Sequence, residues 1–449
     1  MKNSTTLQDL FQQEVDPKAI EKFGKIANWI GAVDSKGKKQ RERGISVDDD
    51  LFGTVDRRSQ KSKYATKQKV VAPKKVSAIP LPSTILAVKK KSTAWKTNVQ
   101  SKGKFIDIDP KWELLMEFER DNLIELQYSP EEGKTLLSIG SLPKFDGTFD
   151  KISIKNPKQL LEEIKTPKIP SVVEDPTMAD FISKRKAKIY TTDNILSALM
   201  SHCRSTIPFD FKIIRKDDYV IIDAREGSIL NFETLLESTA AENLDFGEEN
   251  YNSPLSLIDE VTKCHHKFSA QVKGLASNDS QINYRLWDFG DNVQLLCRTS
   301  LDASYESEFK SGPVSTHCLV EIDSRVTKVD FKQKADSQRG AILGSEMLNN
   351  PNKLARWLFQ SILADAKFLK IGYVSRKLSR DNTKHVILGT ETYAVDDFAV
   401  QIHMDVYNGW GTVKALSDVL LNLPVGEYVM VRTPRKGGLR IYKANEDDK

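Results

Sequence analysis

The texture of the chain changes once, near residue 105, and that change limits what each part can do. Residues 36–104 hold 19 Lys or Arg against 5 Asp or Glu. This surplus of 14 positive charges exceeds the formal +5 of the whole chain, so the remaining residues together carry −9. The basic stretch is poor in aromatics, rich in Lys, Ser, Thr and Gln, and has three prolines in KVVAPKKVSAIPLPSTILAVKKK. Such a segment cannot bury enough apolar surface to offset the entropy of ordering it. Residues 1–104 are therefore expected to form a largely disordered basic arm. Its short apolar islands, IEKFGKIANWIGA (20–32), DDDLFGTVDRR (48–58) and AWKT (94–97), suit docking to other proteins. From the residues alone, the arm is either a solvated linker or a contact for an anionic partner such as RNA.

Residues 105–443 read as one core domain, followed by a short polar tail, 444–449. Cys203, Cys264, Cys297 and Cys318 form no CxxC pair and imply no disulfide framework, which fits a reducing compartment. MKNSTTLQDL lacks the apolar centre of a signal peptide, and no run reaches the roughly 18 apolar residues of a membrane span. The expectation is a soluble, cytoplasmic protein with no membrane contact.

Spacing within the core mixes the two periodicities. A helix is expected from Lys111 to about Asn122. TTDNILSALMSHCRS starts another, with Asp193 placed to cap it. FDFKIIRKDDYVIIDA predicts two strands turning at Lys216–Asp218. Pro254 at a first helical position opens a helix whose core stripe is Leu257, Val261, Cys264 and Phe268. Thr262, His265 and His266 lie on a neighbouring face of it. Strands are expected at 292–301 and 317–325, a helix over roughly Asn352–Ala366, a hairpin from FLKIGYVSRKL and KHVILGTETY, a helix at GWGTVKALSDVLLNL, and a final hairpin turning at Gly437–Gly438. Strands and helices alternate without a regular βαβ period, so the fold class is α+β with mixed sheets.

Tests for chemistry exclude much. No GxxxxGK phosphate loop and no Gly-x-Ser-x-Gly elbow occurs. The His–Cys neighbours His202–Cys203, Cys264–His265–His266 and His317–Cys318 have no usual zinc spacing, and Cys264 lies on a core stripe. Neither a metal nor another cofactor is implied. One carboxylate set remains. Glu321-Ile-Asp323, expected on one face of a strand, is followed by Glu346, and clustered acids can hold Mg²⁺ for phosphodiester cleavage. Solvent-facing acids are the bland alternative.

KADSQRGAILGSEMLNNPNKLARWLFQSILADAKFLKIGYVSR, with RDNTKHVILGTETY, TTDNILSALMSHCRS, NYNSPLSL, FGKIANWIG and FGTVDRRSQKSKYATKQ, resembles the D-subunit family of eukaryotic translation initiation factor 3. The resemblance covers most of 105–443 and two islands before it. It implies a non-catalytic subunit of a complex acting on the 40S ribosomal subunit, with other factor subunits as partners. It also implies binding of the mRNA 5′ end and its 7-methylguanosine cap. The implied core is similar to decapping exoribonucleases: a cup of two mixed β-sheets flanked by helices. Those nucleases follow Glu-x-Asp with Glu-apolar-Lys, whereas here Glu346-Met347 is followed by Leu348. A metal-dependent 5′-end nuclease is thus the alternative function.

Carried onto this sequence, the family's cap site falls at Asp193, Thr206, Ile207, Thr262, His265 and His266. Ile207 stands where the family commonly has an aromatic, and His265 where it commonly has Asn. The family's gate over the RNA path matches 229–243. Its apolar residues are Ile229, Leu230, Phe232, Leu235 and Leu236, and its acids are Glu233, Glu237 and Glu242. Asn231, Thr234, Ser238, Thr239, Ala240, Ala241 and Asn243 complete it. An acidic flap over a basic cup would compete with RNA for the same cations. The resemblance also makes Arg339, Arg356, Lys370 and Arg376 candidate phosphate contacts, with Trp357 or Tyr373 as base platforms; the residues by themselves favour Trp357 as core, with the basic side chains reaching outward to solvent.

Overall fold

The computed structural model describes residues 111–164, 170–205, 208–225, 251–252, 254–275, 280–433 and 437–443. The arm 1–104 and the tail 444–449, with the expectations attached to them, lie outside the described residues.

Fourteen strands among these residues form two sheets. Sheet 1 runs β1 (Glu113–Phe118), β14 (Leu439–Lys443), β13 (Gly426–Arg432), β5 (Asp210–Arg215), β6 (Val220–Asp223), β4 (Ile189–Thr192), β8 (Gln294–Leu301), β7 (Gln281–Asp288), β2 (Lys134–Ile139). Sheet 2 runs β3 (Lys158–Gln159), β12 (His385–Ala394), β11 (Phe368–Arg376), β10 (Ser311–Val320), β9 (Ala303–Glu306). The pairs β4/β6, β4/β8 and β10/β11 are parallel and the others antiparallel. The architecture is α+β with two mixed sheets flanked by helices.

The main core lies where Asp193–Met200 (α3), Pro351–Leu363 (α8) and Val406–Leu421 (α10) pack between inward residues of both sheets. Phe211, Ile213 and Leu295 come from sheet 1 and Leu369, Ile371 and Tyr373 from sheet 2. Alternate residues of β11 point the other way, towards Pro254–Val272 (α4). There Leu257, Val261, Cys264 and Phe268, the expected stripe, meet Cys318, Val374 and Ile387. The approach is close enough that a Cβ on Gly372 would lie 2.3 Å from the Phe268 ring. A third cluster on the outer face of sheet 1 joins Met178 of helix Pro176–Ser183 (α2) to Tyr190, Ile221, Tyr284 and Leu296.

Three expectations need correction. The stretch from Lys111 is not one helix. It is β1, paired with β14, and then the short helix Arg120–Ile124 (α1). Its apolar spacing serves a strand, because Phe118 faces the core and Glu113 faces solvent. Asp193 is the first residue of α3 rather than its cap; the N-cap position is Thr192. The strand expected over 317–325 ends at Val320, so Glu321 and Asp323 do not share a strand face.

Candidate functional site

The chain crosses from sheet 1 to sheet 2 at Asp302, between β8 and β9, and polar side chains gather at this crossing. The Asp302 carboxylate accepts from Ser280 Oγ (2.8 Å), Thr316 N (2.7 Å) and Thr316 Oγ1 (3.1 Å). Lys273 Nζ lies 3.6 Å away, its side chain fully buried. Burial raises the carboxyl's pKa, but Lys273, the Thr316 amide and the nearby His317 outweigh it, and the net shift is downward.

Asp193 stands beside this network. Its Oδ2 accepts from Ser300 N (2.9 Å) and Ser300 Oγ (3.2 Å), and its Oδ1 accepts from Asn194 N (2.8 Å). Burial pushes this carboxyl above the usual aspartate range despite the Ser300 amide and the charge of Arg298. Two neighbouring acids are thus shifted in opposite directions, and the buried lysine beside Asp302 is the main difference.

Helix α8 closes the cluster. Gln360 Nε2 donates to Asn194 Oδ1 at 2.7 Å, and Arg356 Nη2 reaches the same oxygen at 3.4 Å. Trp357 is 1% exposed and carries His317 stacked flat on it, with centroids 4.6 Å apart. His265 of α4 adds a third ring, 5.2 Å from His317 and 6.3 Å from Trp357. His266 and Thr262 remain partly exposed on the same helix. The Asp193 region and the Thr262–His265–His266 face are therefore linked through α8, by Asn194 and Arg356 on one side and Trp357 and His317 on the other.

The remaining sequence candidates lie elsewhere. Thr206, Ile207 and the gate segment 229–243 are outside the described residues. Lys370 is 1% exposed; its Nζ pairs with Asp150, donates to Thr392 Oγ1 and sits over the Phe145 and Tyr305 rings. Arg376 is locked into Glu260 by Nε (2.7 Å) and Nη2 (2.5 Å), and donates to Asn252 Oδ1 and the Tyr251 carbonyl. His385 Nε2 meets the same Glu260 at 2.7 Å. Arg339 bonds the Ala335 and Thr390 carbonyls and lies over Tyr373. The four cations do not form an outward row, because two belong to a strand face covered by α4. Trp357 and Tyr373 are both core residues, so neither presents a free face to a base.

Nor do the three acids of the nuclease reading meet. Glu321 accepts from Ser375 Oγ (2.5 Å), Asp323 faces Asn252, and buried Glu346 pairs with Lys353 at 2.9 Å and Asn350 at 2.8 Å. Among the described residues no group of three His, Cys, Asp or Glu side chains is placed to hold a metal ion.

Sequence reading missed Asn194, Ser300, Asp302 and Lys273. The available signal was a polar run, RTSLD, directly after the buried LLC of β8, where a strand end leaves its polar groups beside a neighbouring helix N-terminus.

The molecule is thus a two-sheet α+β domain with a histidine- and carboxylate-bearing cluster at the crossing between sheets. The chain belongs to the family described as Eukaryotic translation initiation factor 3 subunit 7 (eIF-3), which matches residues 31–443. It is 34% identical over 362 residues to the D subunit of eukaryotic translation initiation factor 3 from Arabidopsis thaliana, covering 76% of this chain and 61% of that protein. To the D-2 subunit of the same factor from Drosophila yakuba it is 32% identical over 368 residues, covering 76% and 66%. The chain spans a little under two thirds of the length of the curated relatives it matches. Solved structures similar to it include Scheffersomyces stipitis Rai1 in complex with (3′-NADP)+ and calcium ion, at TM-score 0.49 and 11% identity over 76% of this chain and 95% of that one. Candida albicans Rai1 in complex with pU5-Mn2+ aligns at TM-score 0.46 and 12% identity, covering 75% and 94%.

Proposed function

We propose that this chain is a non-catalytic subunit of eukaryotic translation initiation factor 3 that binds messenger RNA during initiation of protein synthesis, including the 5′ 7-methylguanosine cap of a subset of messengers. Its partners are the other subunits of that factor, the 40S ribosomal subunit and the mRNA 5′ end, and its place is the cytoplasm. The observation that carries this reading is the family match, which runs through 31–443 and so takes in most of the arm as well as the core.

Chemistry supports the finer parts. The 14 surplus positive charges of residues 36–104 suit a phosphate backbone without regard to sequence. Methylated guanine is cationic and favours aromatic faces and nearby acids. Partly exposed His266 and Thr262, linked through α8 to Asp193, offer such a setting. Since Lys370 and Arg376 are engaged inside the core, the arm is the stronger candidate for phosphate contact.

Photo-crosslinking of the full chain to capped and uncapped oligonucleotides tests the cap site. The triple variant Asp193→Asn, Thr262→Glu, His266→Ala should lower crosslinking to capped RNA by about tenfold, roughly 1.4 kcal/mol, and leave uncapped RNA unaffected. Unchanged capped crosslinking at an unaltered melting temperature defeats the cap reading. Nucleotide release in Mg²⁺ or Mn²⁺ that disappears in Glu321→Gln defeats the non-catalytic reading.

A further inference from the structure

Strand β2 stands out on the surface. All six of its residues are exposed, including Leu136 and Leu137 at 41% and Ile139 at 44%. It is the last strand of sheet 1, and among the described residues it pairs only with β7. Its register sets Leu137 opposite Tyr284 and Ile139 opposite Ile282, so both leucine and isoleucine extend the apolar outer face that α2 covers further in. Natural edges are normally blunted by proline, inward charge or a bulge. Here a bulge interrupts the pairing between Thr135 and Leu137, but no proline occurs and three large aliphatics remain in water.

An open edge with an apolar face is the geometry that receives an added strand. We propose that β2 is covered by residues 83–88 of this same chain, Ser-Thr-Ile-Leu-Ala-Val, added antiparallel as a tenth strand of sheet 1. Within the arm this is a run free of charge, glycine and proline that carries the strand formers Thr84, Ile85 and Val88, with Pro82 before it and Lys89, Lys90 and Lys91 after it. Charge fixes the direction. Antiparallel pairing with Ile85 beside Leu137 brings Lys90 and Lys91 alongside Glu132 and Glu131, which are exposed just ahead of β2. Parallel pairing would carry the lysines past Ile139, away from both glutamates.

Reach permits it. The described chain begins beside β1, at the far end of the nine-stranded sheet, eight strand spacings or about 38 Å from β2. The 22 residues between Val88 and Lys111 extend to about 70 Å. The arm would thereby be tied across the whole sheet, and its basic residues would be held over one face of the domain.

Hydrogen exchange on the full chain decides it, with Leu86→Pro as the variant, since proline removes a ladder donor and lies far from the core. The amides of 134–139 that point away from β7 should exchange about tenfold or more slowly in the parent than in the variant, at equal melting temperature and independently of protein concentration. Ile85→Cys with Leu137→Cys should also give a disulfide, identified by peptide mapping. Protection that is absent in the parent, that persists in Leu86→Pro, or that rises with concentration as for a second copy overturns the proposal.

Discussion

Two groups of charged side chains look alike in the sequence and behave differently in the fold. Lys370 and Arg376 sit on β11, on the face that α4 covers, and each meets a carboxylate: Lys370 the partly exposed Asp150, Arg376 the buried Glu260. Asp193 and Arg356 belong to helices at the crossing of the sheets, where Asn194 follows the first in the chain and accepts from the second, and Asp193 retains some exposure. A charge on a covered strand face must carry its counter-ion with it, because an unpaired ion there loses its hydration without compensation. Asp193, at the start of α3, keeps water within reach, whereas Arg356 is 7% exposed and reaches the Asn194 side chain. The first group therefore governs stability, and the second borders the proposed binding face.

Removing the shared anion of the first group is the strongest way to break this contrast. Glu260 is 3% exposed and serves both Arg376 and His385. It holds the Arg376 guanidinium above its ordinary pKa against the pull of burial. Glu260→Ala should cost about 3–5 kcal/mol, because it leaves a buried cation without its carboxylate. Urea unfolding midpoints measure this. A loss below about 1 kcal/mol would place Arg376 with the water-accessible group.

Much of this division was hidden in the sequence for a physical reason. The helix stripe Leu257–Val261–Cys264–Phe268 and the β11/β12 hairpin were legible because their periodicity is local. So were the paired strands at 210–223 and the final hairpin. The partners of Lys370 and Arg376 are not local: Asp150 lies 220 positions away and Glu260 lies 116 away. Nothing in FLKIGYVSR says which alternate face a helix will cover. The stretch from Lys111 misled for a related reason, since β1 exists only because β14, over 300 residues later, pairs with it. At the candidate site, Thr262, His265 and His266 were visible as one helical face, while Asp302 and Lys273 became part of it only through the crossing of sheets.

A buried base without a counter-charge sharpens the comparison from the other side. His202 is fully buried near Arg432, its Nδ1 lies 3.0 Å from the Leu199 carbonyl, and burial lowers its pKa to about 4. A folded-state pKa below the unfolded value of about 6.5 means that the unfolded chain takes up the proton first. Stability from this group is therefore complete above about pH 6.5 and declines as pH falls towards 4, by about 3 kcal/mol in all. His202→Gln should flatten that part of the stability curve when unfolding is measured from pH 7 to pH 4. An unchanged slope would mean that other groups set the acid sensitivity.

The smallest expected effect is the most discriminating. Lys370→Met keeps the length and most of the volume of a side chain that is 1% exposed and lies between the Phe145 and Tyr305 rings. Burial pulls the lysine's pKa down while Asp150 holds it up, so the ammonium is a costly guest at this position. Asp150 does not become an orphan when the lysine goes. Its side chain is 31% exposed and still accepts from Tyr305 Oη at 2.9 Å and Thr390 Oγ1 at 3.2 Å. Replacing a buried ion pair by a well-packed apolar group is often close to neutral, so stability should change by less than about 1 kcal/mol. Crosslinking to capped and uncapped RNA should not change at all, because no phosphate reaches that ammonium. If Lys370→Met instead lowers crosslinking with its melting temperature intact, the β11 face opens to RNA, and the division between inner and outer cations fails at its clearest case.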